Sequence, residues 1–348
     1  MQTHTPHHSP GLRWLRRAGT ALSLLALLLA GLVLVHQITP RPAVTLIRWL
    51  FDGGARNAAV ALERHVPEGV QALRDQPVST RSGDVPGLPL DLYRPAGWTP
   101  EQRLPAIVWV HGGAWVAGDK RDVDPWLRLL ASHGFVTVAP AYTRAPEARF
   151  PTPLHQLNAA LAHLDQQADV LGIDRSRILL AGDSAGAHLA ALLAHIHVQP
   201  EHAQRIGIRP ALRPAQLRGT LLFCGPFDFD RMNFDGAFGP FLNTVVRAFF
   251  GQRDARQSQA YRDAAVLPHL DASFPPTFVS AGNADPLLDQ SLLLHNRLQT
   301  LGVPVEGLFF AADHQPPLGH EYQFNQDTEA GRRALAAAID FARRRTAL

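Results

Sequence analysis

The segment Ile178-Leu-Leu-Ala-Gly182-Asp183-Ser184-Ala185-Gly186 closes an apolar run on a serine held between glycines, and a helical pattern from His188 to His197 follows. Strand, tight turn and helix in that order set a serine hydroxyl on a strained elbow, with the positive end of the helix aimed at developing negative charge. Small residues at 182, 185 and 186 allow the reversal. The chemistry open to such a serine is nucleophilic attack on a carbonyl carbon. It then needs amide donors for the oxyanion of a tetrahedral intermediate, and a base backed by an acid.

Each requirement has candidates. His111-Gly112-Gly113-Ala114-Trp115 follows an apolar run ending at Val110, and its glycines let the backbone come close to a ligand. The Ala185 amide would complete such an oxyanion hole, while His111 reads as a structural hydrogen-bonding residue of the loop. For the acid, Asp285 in Ala284-Asp285-Pro286-Leu287 lies just past the apolar stretch Phe278 to Ser280, where a loop at the carboxyl end of a sheet presents it. Asp289 competes, but it falls one turn into the next helix, a place for a capping or solvated residue. For the base, the loop after Phe310 offers His314 and His320.

These residues need a scaffold. From Gly87 onward, short apolar runs at 90–93, 106–110, 135–138, 178–181, 217–223, 277–280 and 305–310 alternate with helical periodicity, which predicts βα units on a mostly parallel sheet. Leu154, Leu157, Leu161 and Leu164 mark one helix face, as do Leu335 and Ile339 near the end. The stretch 227–272 is too long for a simple crossover and reads as an inserted cap. Its Phe227, Phe229, Phe234, Phe238 and Phe241 point to a hydrophobic entrance. Ahead of the sheet, Ala43 to Arg74 reads as one or two short amphipathic helices, a stalk or lid, interrupted at Gly53 and Gly54.

Composition narrows the function classes. A chain of 348 residues that is 46% hydrophobic and 18% charged can bury one large core. Basic residues exceed acidic ones by only three and form no single stripe, which excludes a nucleic-acid partner. Cys224 is the only cysteine, so there is no internal disulfide framework and no thiolate-rich metal site. At the N-terminus Arg13, Arg16 and Arg17 precede a nearly unbroken apolar run, Ala18 to Val35, about 27 Å long as a helix. No small-x-small cleavage site follows it, and no cysteine offers a lipid anchor. The expectation is an uncleaved signal anchor with the arginines on the cytoplasmic side and the rest exported, on the periplasmic or extracellular face.

Taken together, His111-Gly-Gly-Ala-Trp, Tyr142-Thr-Arg-Ala-Pro-Glu147 with Phe150-Pro151, Gly182-Asp-Ser-Ala-Gly186, Asp285-Pro286 and Gly319-His320-Glu321 resemble the hormone-sensitive-lipase-like esterases of the α/β-hydrolase superfamily. The resemblance runs from about Leu88 to the C-terminus and implies an α/β-hydrolase fold. It maps Ser184, Asp285 and His320 onto the family's triad and Gly112, Gly113 and Ala185 onto its oxyanion hole. Ala114 stands where the family usually has a third glycine, which narrows the space but keeps the N–H. The implied activity is hydrolysis of a small-molecule carboxylic ester through an acyl-enzyme, with no metal and no organic cofactor. Amide hydrolysis by the same groups and a non-catalytic binding protein on this scaffold are the alternatives. The expected organisation is a basic segment 1–17, a transmembrane anchor 18–37, a stalk or lid 38–86 and a hydrolase domain 87–348 with its cap at about 227–272.

Overall fold

A computed structural model describes residues 10–347, apart from the side chains at 10–13, 15, 16, 25, 29, 30, 32–34 and 36. Helix α1 spans Pro10–Ile38 and helix α2 Arg41–Glu63, parted where Pro40 and Pro42 interrupt the backbone hydrogen-bond ladder. Among the described residues no helix is long and apolar enough to cross a membrane, so the transmembrane reading of 18–37 gains no support there. Part of that run lies on side chains outside the described residues. The described Leu22, Leu24, Leu27 and Leu28 are exposed.

The strands are β1 (Gln71–Gln76), β2 (Arg81–Ser82), β3 (Val85–Pro86), β4 (Leu90–Arg94), β5 (Leu104–Val110), β6 (Val136–Pro140), β7 (Ile173–Asp183), β8 (Leu217–Phe223), β9 (Thr277–Ser280) and β10 (Val305–Leu308). Apart from the small β2–β3 pair, they form one sheet in the order β1-β4-β6-β5-β7-β8-β9-β10. Pairing is parallel from β6 across to β10 and antiparallel at β1–β4 and β4–β6. The fold is thus that of an α/β-hydrolase. Its central strands are apolar at nearly every position because helices cover both faces. Ala106, Val108 and Val110 of β5 enter one core layer, and Ile107 and Trp109 enter the other.

The helices are α3 (Asp124–Ala131), α4 (Thr152–Gln166), α5 (Ala168–Leu171), α6 (Ser184–Val198), α7 (Pro200–Ile206), α8 (Gly239–Phe250), α9 (Gln259–Ala264), α10 (Leu288–Thr300) and α11 (Glu329–Thr346). Helix α6 is buried almost along its whole length, with His188, His195 and His197 inside.

Three expectations change. The sheet starts at Gln71, ahead of the boundary at 87, because β1 pairs with β4 although its own sequence, with only Ala72 and Leu73 apolar, shows no strand pattern. Tertiary pairing overrides local preference there. Helix α2 also runs through Gly53 and Gly54 without a break. A Cβ at either glycine would meet nothing within 4 Å, and the helix tolerates each at about 1 kcal/mol. Burial of Val44 and Leu62 against the two core layers offsets that loss. Finally, the phenylalanines of 227–272 do not form an entrance. Phe227, Phe229 and Phe234 are buried, and Phe229 packs edge-on to Trp115 with ring centroids 5.7 Å apart. Phe238 is exposed, and Phe241 lies against Phe51 of α2.

Candidate active site

Ser184 stands where β7 turns into α6 with φ 52°, a left-handed conformation that a serine adopts only under constraint. The constraint is steric. A Cβ on Gly186 would sit 2.0 Å from the Val110 carbonyl, and one on Gly182 would sit 2.6 Å from Gly186, so both positions admit only glycine. Strand β5 and the elbow therefore touch backbone to backbone.

The loops after β9 and β10 bring the other groups. His320 Nδ1 lies 3.0 Å from each carboxylate oxygen of Asp285, and its Nε2 lies 2.9 Å from Ser184 Oγ. Asp285 is buried and also accepts the Leu287 amide at 2.7 Å. Asp289 is exposed in the first turn of α10, and the His314 ring packs on Phe310. The two loops are fastened by Leu318 N–H donating to Asn283 Oδ1 and Ala284 N–H to the Leu318 carbonyl, both at 2.9 Å. The glycine that permits this contact is Gly282, where a Cβ would meet the Leu318 carbonyl at 2.1 Å. Gly319, which precedes the histidine, faces open space. The left-handed turn falls instead on Glu321, φ 59°. Tyr322 OH and Ser280 Oγ, 2.6 Å apart, hold the far side of that turn to β9.

The electrostatics favour a strong base at His320. Burial works against the charged ring, but Cys224, Asp285 and Glu321 outweigh it and raise the pKa well above the ordinary histidine value. Burial pushes the Cys224 thiol up to about 11. Cys224, Asp285 and His320 offer donor atoms within 4.8 Å of one another, but His320 and Asp285 are already joined in the chain that ends on Ser184.

One expected donor is otherwise engaged. The Gly112 N–H donates to Asp183 Oδ2 at 2.9 Å, while Trp109 Nε1 donates to Oδ1 at 2.7 Å. Among the described residues the amides of Gly113 and Ala114 have no acceptor. The Ala185 amide, in the first turn of α6, has no partner within the helix by position. Gly112 thus acts through Asp183 to hold the loop, and the free donors are Gly113, Ala114 and Ala185. Asp183 sits fully buried, and burial followed by the neighbouring Glu321 raises its pKa well above the carboxylate range. His111 stacks on Tyr142 at 4.4 Å, and Tyr142 OH donates to the His111 carbonyl at 3.0 Å, which fits the structural reading of that histidine.

Above these groups is a cavity of about 360 Å³. Its floor is Gly112, Gly113, Ser184 and His320, and its roof is α2 through Leu50, Phe51, Gly54, Ala55, Ala58 and Leu62. No residue of 227–272 lines it. Helix α2 is held there by Arg48, whose Nε donates to the Val116 carbonyl at 2.6 Å and Nη2 to the Ala145 carbonyl at 2.7 Å, and by Asp52, which accepts the Gly118 amide at 3.1 Å. Within the segment read as a stalk or lid, the sequence holds two signals for this roof. Arg48 and Asp52 are one turn apart, and Gly54, Ala55, Ala58 and Ala59 form a small-residue stripe.

Against known proteins, the BD-FAE family matches residues 90–298. The chain belongs to the BD-FAE family. An esterase of Fusarium pseudograminearum is 30% identical over 213 residues, 58% of this chain and 62% of that protein. An acetyl esterase of Salmonella schwarzengrund is 29% identical over 219 residues, 60% of this chain and 64% of that one. The chain thus spans somewhat less than two thirds of these curated relatives. Among solved structures, an inhibited esterase B from Lactobacillus rhamnosis is 25% identical with a TM-score of 0.73, covering 87% of this chain and 95% of that one. An esterase from Pyrobaculum calidifontis, 24% identical with a TM-score of 0.67 over 87% and 94% of the two chains, shares the fold. The resemblance to hormone-sensitive-lipase-like esterases drawn from the motifs agrees with this BD-FAE membership.

Proposed function

We propose that the protein is a serine hydrolase of small to medium carboxylic esters. The observation that carries this reading is the hydrogen-bonded chain from Asp285 through His320 to Ser184 Oγ, with free amides beside it. Ser184 Oγ attacks the ester carbonyl as His320 Nε2 takes its proton. The oxyanion accepts from Gly113 and Ala185, with Ala114 the remaining free amide of the loop. His320 then returns the proton to the departing alcohol, leaving the acyl group on Ser184, and in a second cycle it deprotonates the water that releases the acid. Asp285 keeps Nδ1 protonated and stabilises the transient imidazolium. The apolar roof of α2 suits an acyl chain, and related proteins named esterase and acetyl esterase support the same bond type. In the test, purified chain and Ser184→Ala are compared on p-nitrophenyl esters of increasing chain length and on the matching anilides. The expected result is ester turnover that falls by about 10³-fold or more in the variant, with residual rate from the oxyanion donors. Near-normal turnover in Ser184→Ala ends the mechanism, and preference for the anilides replaces esterase by amidase.

We also propose that Ala18 to Val35 anchors the chain in a membrane with the catalytic domain on the exported side. Support comes from leucines exposed at 22, 24, 27 and 28, which at 100° per residue lie on opposing faces of α1, and from Leu46, Trp49 and Leu50 exposed on α2. A C-terminal reporter active only after export should light up with the full chain, and a chain beginning at Pro40 should remain in the soluble fraction. A cytoplasmic reporter signal from the full chain overturns this topology.

A further inference from the structure

At the other end of α6 from Ser184, three imidazoles and a carboxylate converge from segments up to 74 positions apart. His195 Nδ1 and His202 Nδ1 are 2.8 Å apart. The remaining ring nitrogen of each faces a backbone carbonyl: His195 Nε2 the His269 oxygen, His202 Nε2 the Asp263 oxygen, and His269 Nε2 the Arg262 oxygen, all at 2.9 Å. A carbonyl only accepts, so each Nε2 carries the proton, and a neutral imidazole has no second one. The two Nδ1 atoms of His195 and His202 therefore point lone pair at lone pair, an arrangement that repels unless a cation lies between or beside them. A proton would create an imidazolium on rings that are each 2% exposed, close to the guanidinium that Arg205 extends to Asp263 at 3.3 Å. A divalent metal suits the site better, since it can accept lone pairs from several imidazoles and a carboxylate oxygen at once, which a single proton cannot.

We propose that His202, Asp263 and His269, with His195 beside them, form a structural site for Zn²⁺ or a similar borderline divalent ion. One donor atom from each of the first three lies within 4.8 Å of the others, close enough for small shifts to bring them to the roughly 2.0–2.2 Å of Zn–N and Zn–O bonds. Arg205 and Gln259 both bond Asp263 Oδ1, which leaves Oδ2 without a hydrogen bond among the described residues. Backbone carbonyls on the outer ring nitrogens are the arrangement that orients imidazoles toward a metal. Nitrogen and carboxylate donors without thiolate favour Zn²⁺, Co²⁺ or Ni²⁺ over alkaline-earth ions. The ion would tie the end of α6 to α7 and to the 227–272 excursion through α9 and the turn at His269. His195 is eleven residues into a helix that Ser184 begins, roughly 16 Å from the nucleophile, so the ion has no part in acyl transfer.

The full chain, stripped with EDTA and titrated with ZnCl₂, should take up one equivalent with Kd below about 1 μM and unfold several degrees higher, while Co²⁺ should give a visible d–d band. His269→Ala, whose ring is partly exposed, and Asp263→Asn should weaken Zn²⁺ binding by about 100-fold and abolish the band. Should His202→Ala fail to fold, those two variants still decide the matter. Replacing His4, His7 and His8 by alanine removes a competing N-terminal site and should leave binding intact. No stoichiometric uptake, or uptake unchanged in His269→Ala and Asp263→Asn, overturns the site.

Discussion

Two surfaces face each other across the cleft and are built by opposite rules. The floor comes from loops at the carboxyl ends of β5, β7, β9 and β10, and its conformation is fixed by backbone contacts that exclude any Cβ at Gly182, Gly186 or Gly282. The roof is one helix, α2, with Leu50 54% and Phe51 40% exposed and open space at Gly53 and Gly54. A floor of this kind holds reacting groups within a fraction of an ångström and tolerates almost no change. A roof of this kind can change its side chains without disturbing the chemistry. Under the proposed ester hydrolysis, the difference assigns reaction to one surface and selection of the acyl group to the other.

The sharpest way to break this division is at the base. His320→Ala should lower kcat by about 10⁴-fold or more while His314→Ala stays within a few-fold of the parent, with folding checked by circular dichroism. Exchange of those two outcomes would move the reaction out of the floor as drawn. Next is the acid. Asp285→Asn should reduce kcat by roughly 10³ to 10⁴-fold and also shift the pH profile. The His320 pKa is raised above 6.5, and only the neutral ring acts as a base, so kcat/KM should fall as pH drops through a midpoint above that value. Loss of the carboxylate removes an attraction that favours the cation, and the midpoint should move to lower pH. A profile that stays in place in the Asp285→Asn variant would detach His320 from Asp285.

The smallest effect belongs to the roof. Gly54→Leu fills space above Ser184 and should cut kcat/KM for hexanoyl esters about tenfold while acetyl esters change little. Equal loss on both substrates would mean that the roof takes part in the reaction and would erase the division between the two surfaces.

The floor was more legible in the sequence than the roof, and the reason is physical. A nucleophile elbow needs glycine at set positions, and central strands buried on both faces are apolar at nearly every position, so Gly182, Ser184, Gly186 and the central strands announce themselves locally. Strand β1 does not, because β4 supplies its register. Helix α2 reads as amphipathic, but nothing local says that Arg48 and Asp52 will hold it over the oxyanion loop. The phenylalanines of 227–272 have the composition of an entrance, but Phe227, Phe229 and Phe234 have the burial of a core.

The sequence by itself determined the residue types, their chain order and the alternation that builds the sheet, because glycine stereochemistry and hydrophobic period act over a few neighbouring residues. Only the tertiary structure decided that the Gly112 amide belongs to Asp183, that Gly282 rather than Gly319 admits the histidine loop, that α2 covers the cleft, and that His195, His202 and His269 meet. Each of those joins segments distant in the chain, and such contacts are set by the packing of whole elements rather than by any local pattern.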